Sequence, residues 1–292
     1  MTESFLVYKK SRYLYWSIAL ALLSALAFAL HRATEPPSGG TWLGYTLGAI
    51  AALLIVWLIL FGVRKRSYAA RLGSVEGWLS AHVYLGTSLL FVGTLHSAGQ
   101  LGWNIHTAAY VLMLLVIFSG FYGVYLYRAY PQRIAANRAL LPRQTYLAEL
   151  VALDEHCLRQ AANSLPEVLS VVTSAVERTR IAGRWWSCVR GRDESRVVLP
   201  GVSASQDHVS NAGQAPLLEF LTRQLAHSNG KQAVLLKELI ELCGKRKRVL
   251  DILHHDLTLQ TRLRAWLLMH VPLSLGLLAA LTAHIVSVFL YW

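Results

Sequence analysis

The sequence predicts an all-α membrane protein: a five-helix transmembrane bundle with a mostly helical insertion between the fourth and fifth helices. Three observations predict it. Charged residues make up 15% of the 292 and hydrophobic residues 54%, against about a quarter charged in an ordinary soluble domain. Long stretches carry no Asp, Glu, Lys or Arg: Tyr13 to Leu30, Thr41 to Val63, Gly77 to Tyr127 and Ala265 to Trp292. Charge is dense only in 129–263, which holds 18 basic and 13 acidic residues. There the apolar positions recur at helical spacing. The composition, with a mean hydropathy of +0.40, excludes a disordered chain, a collagen-like fibre and a typical soluble enzyme.

A spanning helix needs about 20 apolar residues. The first stretch gives a helix at 13–31. Lys9, Lys10 and Arg12 before it, and Ala27-Phe28-Ala29 within it, also fit a secretory signal peptide. The length of the run favours a retained span. The second helix is 42–63. The third stretch has 51 residues, too many for one span. It suits two, at 78–98 and 104–127, joined through Ser97-Ala98-Gly99-Gln100-Leu101-Gly102, a run of small and turn-forming residues. The fifth helix is 264–290. The expected organisation is therefore helices 1–4 in residues 1–128, the insertion in 129–263 and helix 5 in 264–292.

Lys and Arg set orientation, because cytoplasmic loops are enriched in them. Lys9, Lys10 and Arg12 precede helix 1; Arg64, Lys65 and Arg66 follow helix 2; Arg128 and Arg143 follow helix 4. The opposite side holds Arg32 alone. This predicts a multi-pass protein of the cell (inner) membrane, with the amino terminus and the insertion cytoplasmic and the carboxyl terminus outside. Trp16, Trp42, Trp78, Trp103, Tyr125 and Trp266 fall near span ends, as an aromatic belt at headgroup level requires.

Within the insertion, helices are expected at Glu149–Asn163, Pro166–Arg180, Ala215–Ser228 and Lys231–Leu263, the last running straight into helix 5. Arg184–Asn211 reads as a loop with short strands, and its Trp185-Trp186 pair as buried core. Cys157, Cys188 and Cys243 are odd in number and form no Cys-x-x-Cys. No disulfide framework, zinc ribbon or iron–sulfur cluster is implied, and the three read as thiols or core residues. The net charge of +12 is mostly topogenic. Lys245-Arg246-Lys247-Arg248 reads as a solvated helix face near an anionic leaflet. Membrane lipid is thus an expected partner and nucleic acid is not, since no nucleic-acid fold motif accompanies the charge.

Ionisable residues inside spans are costly and mark function by default. His82 and His96 lie in helix 3, His270 and His284 in helix 5, and each pair is 14 residues apart. Fourteen residues return to within about 40° of the same helix face and rise about 21 Å. Both helices run outward, so His82 and His270 share the inner level and His96 and His284 the outer. A neutral imidazole is a good axial ligand for haem iron, and two of them leave no open position. The spacing therefore predicts two b-type haems, the inner on His82/His270 and the outer on His96/His284, and these four histidines as the metal ligands. Between them on helix 3, Gly86, Leu89 and Gly93 share the histidine face, and Gly86 and Gly93 would let a flat macrocycle approach the backbone. On helix 5 the same offsets give Ser274, Leu277 and Leu281. Arg264, below His270, is a candidate propionate partner. His106, at the outer start of helix 4 beside Asn104, suits an outer propionate, an acceptor site or a simple headgroup contact. His31, just beyond helix 1, reads as structural. Nothing in the sequence supports nucleophilic catalysis.

Two parallel helices that each carry His-x13-His resemble the dihaem transmembrane cytochrome b modules. These are the cytochrome b of quinol-oxidising bc complexes and, closer in topology, the ferric reductase-like membrane domain of ferric reductases and NADPH oxidases. The resemblance covers 78–98 and 264–290 with helix 4 between them, and does not extend to 129–263. It implies a dihaem b-type cytochrome subunit of an oxidoreductase complex. Such a subunit carries single electrons across the membrane between a cytoplasmic-side and an outer-side redox partner protein or quinone. Two alternatives stay open: a terminal transmembrane metal or quinone reductase with its own outer acceptor site, and a haem-free anchor or transporter. No Gly-x-Gly-x-x-Gly and no phosphate-binding loop occurs in the sequence.

Overall fold

The computed structural model describes residues 5–32, 38–66, 73–136, 143–200 and 209–291, without the side chains of 129–136 and 291. The described residues are mostly helical. In chain order the helices are α1 (Tyr8–Arg32), α2 (Trp42–Arg66), α3 (Val75–Ser97), α4 (Ile105–Ala136), α5 (Arg143–Ala162), α6 (Pro166–Glu177), α7 (Trp185–Arg190), α8 (Ala215–Ala226) and α9 (Lys231–Tyr291). Five of them, α1 to α4 and α9, are long and apolar enough to cross a membrane, which marks the chain as a membrane protein. A two-residue antiparallel ladder pairs β1 (Arg196–Val197) with β2 (Val209–Ser210). Residues 201–208 of the expected loop lie outside the described residues.

The chain divides into two compact units, Met1–Tyr125 with Trp266–Trp292, and Leu126–Ala265. In the first, α3 packs along both α1 and α2. Small residues make this possible: Ser80, Ala81 and Ser88 on α3 are buried, and Ser17 of α1 donates to the Tyr84 carbonyl at 2.7 Å. Close approach through small residues and interhelical hydrogen bonds is what holds helices together where lipid replaces water. Trp57 and Trp78 stack at 5.1 Å between α2 and α3. Ser74 caps α3 by accepting from the Gly77 N–H at 3.2 Å. The helix ends where Ala98 and Gly99 both take left-handed backbone, φ 48° and 73°, in the turn expected between helices 3 and 4. The other faces of these helices leave Leu22, Leu26, Leu53, Leu268 and Phe289 exposed, as a lipid-facing surface would.

The second unit has its own core. Val168 and Val172 of α6, Leu217 and Leu221 of α8, and Leu236 and Leu239 of α9 are buried together. Cys157 and Cys243 join them, with their sulfurs 3.9 Å apart, and Cys188 is half-buried. Two expectations fail here. Arg246 is not solvated: it is 1% exposed. It donates to Gln214 Oε1 and Thr179 Oγ1, each at 2.8 Å, and to Asp154. Four consecutive helical residues turn through a full circle at about 100° each, so one of the four basic side chains must face inward. Trp185 and Trp186 are not core either, being 45% and 65% exposed. Their helix is a single short turn-and-a-half outside the packed layers, a placement that aromatic content alone does not reveal.

Candidate cofactor site: two histidine levels on α3 and α9

The four intramembrane histidines fall at two levels. His82 lies near the start of α3, with its ring 5.1 Å from Phe61 of α2, and His270 lies on α9, with its ring 5.2 Å from Trp266. Near its end α3 brings His96 within 6.2 Å of His284, ring centre to ring centre. Between the levels lies an apolar plug of Leu89, Val92, Met113, Ile117, Leu277 and Leu281, all buried.

Three of the four rings are held through the same atom. His82 Nδ1 is 3.1 Å from the Leu58 carbonyl oxygen of α2. His96 Nδ1 is 2.8 Å from the Gly44 carbonyl, also on α2. A carbonyl can only accept, so in each ring Nδ1 carries the proton and Nε2 keeps a free lone pair. His270 Nδ1 is 2.6 Å from Ser119 Oγ of α4. That hydroxyl also lies 2.8 Å from the Val116 carbonyl; its one hydrogen serves either partner, so this contact positions the His270 ring without setting its tautomer. A ligating histidine is normally oriented in this way, with its second nitrogen donating to a carbonyl or another fixed acceptor.

Glycines and small residues make room for these bonds. A Cβ on Gly48 would lie 2.7 Å from His96 Cε1 and 3.0 Å from Nδ1, so the ring fits only against a bare backbone. On α4, a Cβ on Gly120 would be 3.7 Å from His270 Cε1, and one on Gly123 would collide with the Trp266 ring. Trp266 donates from its indole nitrogen to the Ser119 carbonyl at 2.8 Å and lies 5.2 Å from His270. Gly44, Gly48, Ser119, Gly120 and Gly123 were not singled out in the sequence, and Trp266 was read only as a belt residue. The signals were present: Gly44-x-x-x-Gly48 is a close-packing motif of membrane helices, and Ser119, Gly120 and Gly123 follow one another on α4.

The remaining site residues of the sequence reading fall as follows. Gly86 faces Leu58, whose methyls would be 3.9 Å and 4.0 Å from an added Cβ. At Gly93 the Met113 sulfur would be 2.6 Å from such a Cβ, so that thioether fills the notch the glycine leaves. Arg264 is exposed. Asn104 caps α4 by accepting from the Thr107 N–H at 2.9 Å. His31 is buried in the last turn of α1, edge-on to Trp42 at 5.5 Å. His106 joins the second level: its ring is 5.3 Å from His96 and 4.9 Å from His284. One ligand nitrogen from each of the three comes within 4.8 Å of the others.

The donor chemistry of one ring at each level, His82 and His96, suits haem iron, because each presents an unprotonated Nε2. At the His82/His270 level Phe61 lies 5.1 Å from the His82 ring and Trp266 5.2 Å from the His270 ring. At the other level the His106 ring sits closer to each partner than they sit to one another, against the gap between them. No protein-family model, no curated protein and no solved structure matches this chain.

Proposed function

We propose that the chain is a dihaem b-type cytochrome subunit that passes single electrons across the membrane. One haem would be held by His82 and His270 and the other by His96 and His284. One observation carries the reading: the His82 and His96 Nδ1 atoms are each committed to a backbone carbonyl, and His270 Nδ1 is held against the Ser119 hydroxyl. That leaves Nε2 of His82 and of His96 as a ready ligand on the shared histidine face. Bound there, haem would supply one-electron chemistry. The chain's own part is to fix the tautomers of His82 and His96, set the two levels about 21 Å apart along the helices and exclude water with the apolar plug between them. The positive-inside bias supports an amino terminus on the cytoplasmic side, with the His82 level inward and the His96 level outward. The partners would be a protein or a quinone on either side. The deciding experiment is a reduced-minus-oxidised spectrum of the purified chain with haem quantitation. Two low-spin haems per chain are expected, and colourless protein would overturn the proposal.

A second reading has one observation in its favour. The three-imidazole convergence of His96, His106 and His284 also suits a bare transition-metal ion such as zinc or copper. The same measurement separates the two when metal content is added to it. One haem with one further metal ion per chain would favour this second reading.

A further inference from the structure

The segment 178–196 runs alongside α9 and is tied to it at three successive points. His254 Nε2 lies 2.9 Å from the Arg180 carbonyl, which as an acceptor makes the ring nitrogen the donor. Gly191 packs against Thr258. Arg262 donates from Nε to the Val189 carbonyl at 2.8 Å. The three α9 residues are four apart, so they form one stripe that climbs the helix towards its apolar half. The last tie, at Arg262, is about one turn, or about 6 Å, short of Trp266, where the charge-free run has begun. The helix α7 is therefore fastened to α9 about one turn before the charge-free run of that helix.

What α7 presents there is unusual for a surface in water. Trp185 and Trp186 are exposed and pack edge to face at 4.5 Å. Arg180, Arg184, Arg190 and Arg192 around them are all exposed. The nearby acids turn to local tasks instead. Glu194 accepts from the Ser187 hydroxyl and from the Arg184 N–H. Asp193 accepts from the N–H groups of Ser195 and Gly213, each at 2.9 Å. Indole rings favour the headgroup region because one edge is apolar and the N–H finds a wet partner. Arginines favour an anionic leaflet.

We propose that α7 is an interfacial anchor: Trp185 and Trp186 insert among the headgroups of the leaflet that α9 enters, and the surrounding arginines engage anionic lipid phosphates. The inference rests on α9 crossing the membrane and is independent of any haem. It makes the insertion a membrane-seated body whose α7 edge lies in the leaflet.

The test uses the full-length chain in nanodiscs of equal parts phosphatidylcholine and phosphatidylglycerol. A nitroxide is placed at Trp186→Cys in a Cys188→Ser background, and a second at Arg223→Cys on α8 as the solvent control. Collision with oxygen is compared with collision with a water-soluble nickel chelate. The oxygen-to-chelate ratio at 186 should be several-fold higher than at 223. It should fall by at least twofold in nanodiscs of phosphatidylcholine alone. A ratio at 186 equal to that at 223 would overturn the proposal. A label shielded from both reagents would also overturn it, by placing the tryptophans against protein, a partner or a second copy. A ratio unchanged in neutral lipid would overturn the arginine part. Quenching by brominated lipid gives a readout without the cysteine variant. The chain with Trp185→Phe and Trp186→Phe should lose a quenchable component that the native chain has, and equal quenching in both would overturn the anchor. Neither arm reads haem, so a colourless protein that passes them leaves the anchor standing.

Discussion

Replacing Gly48 by alanine tests the His96 level at its tightest point. The added Cβ would meet the His96 ring at three atoms, 2.7 Å from Cε1, 3.0 Å from Nδ1 and 3.2 Å from Nε2. The ring is rigid, so it must swing as a body. Swinging breaks its 2.8 Å bond to the Gly44 carbonyl, a loss of about 1 kcal/mol net. Overpacking a close-fitted site costs about 1–3 kcal/mol. Against this, alanine is favoured over glycine in a helix by about 1 kcal/mol. The balance is a destabilisation of about 1–3 kcal/mol. The larger effect falls on the ligand. Losing the acceptor that orients a ligating histidine weakens metal affinity by about 10–100-fold. Haem quantitation of the Gly48→Ala chain should thus show the His96/His284 haem depleted and the His82/His270 haem retained. Gly62→Ala is the control, because a Cβ there meets nothing within 4 Å. Full haem content in Gly48→Ala, with a thermal midpoint that matches or exceeds that of the Gly62 control, would refute the reasoning.

At the other level, Ser119→Ala removes the hydrogen-bond partner described for His270 Nδ1. It should weaken haem affinity at His82/His270 by about 10–100-fold, read by haem titration, and leave the His96 level full. In the insertion, Arg246→Leu strands Asp154 and the polar atoms of Gln214 and Thr179. The loss should be about 3–5 kcal/mol, as for removal of one partner from a buried ion pair, and hydrogen exchange on α5 and α8 should report it. Asp193 predicts acid sensitivity of the same unit. Burial works against its charge, but the Ser195 hydroxyl and N–H, the Gly213 N–H and nearby His254 outweigh burial and hold the carboxyl below its ordinary value. Its stabilisation is then complete above about pH 4, the unfolded carboxyl's value, and is lost as pH falls through the lower folded value. Acid unfolding of the full chain, followed by exchange in α8, should lose this low-pH limb in Asp193→Asn, and an unchanged limb would count against it.

What the sequence made legible, and what it hid, divides by whether a residue's partner lies on its own helix. The histidine faces were legible because 14 residues is a property of one helix, and the turn at Ala98-Gly99 was legible because its residues set their own backbone. The Gly44 carbonyl that orients His96, and the bare backbone at Gly48 that admits its ring, belong to α2. Periodicity along α3 carries no information about them. The same holds for Ser119 of α4 against His270 of α9, 151 residues apart. Gly93 shows the converse. A glycine on the histidine face reads as space for a ligand, yet Met113 from α4 occupies that space. Trp185 and Trp186 were misjudged for a related reason. Exposure is a cost only relative to water, and tryptophan is as well suited to a membrane interface as to a core. A sequence rule that treats an aromatic pair as core assumes the solvent. In this chain the charge-free run of α9 begins a few residues beyond the tie at Arg262, and under the proposed anchoring the surroundings of α7 are lipid headgroups rather than water.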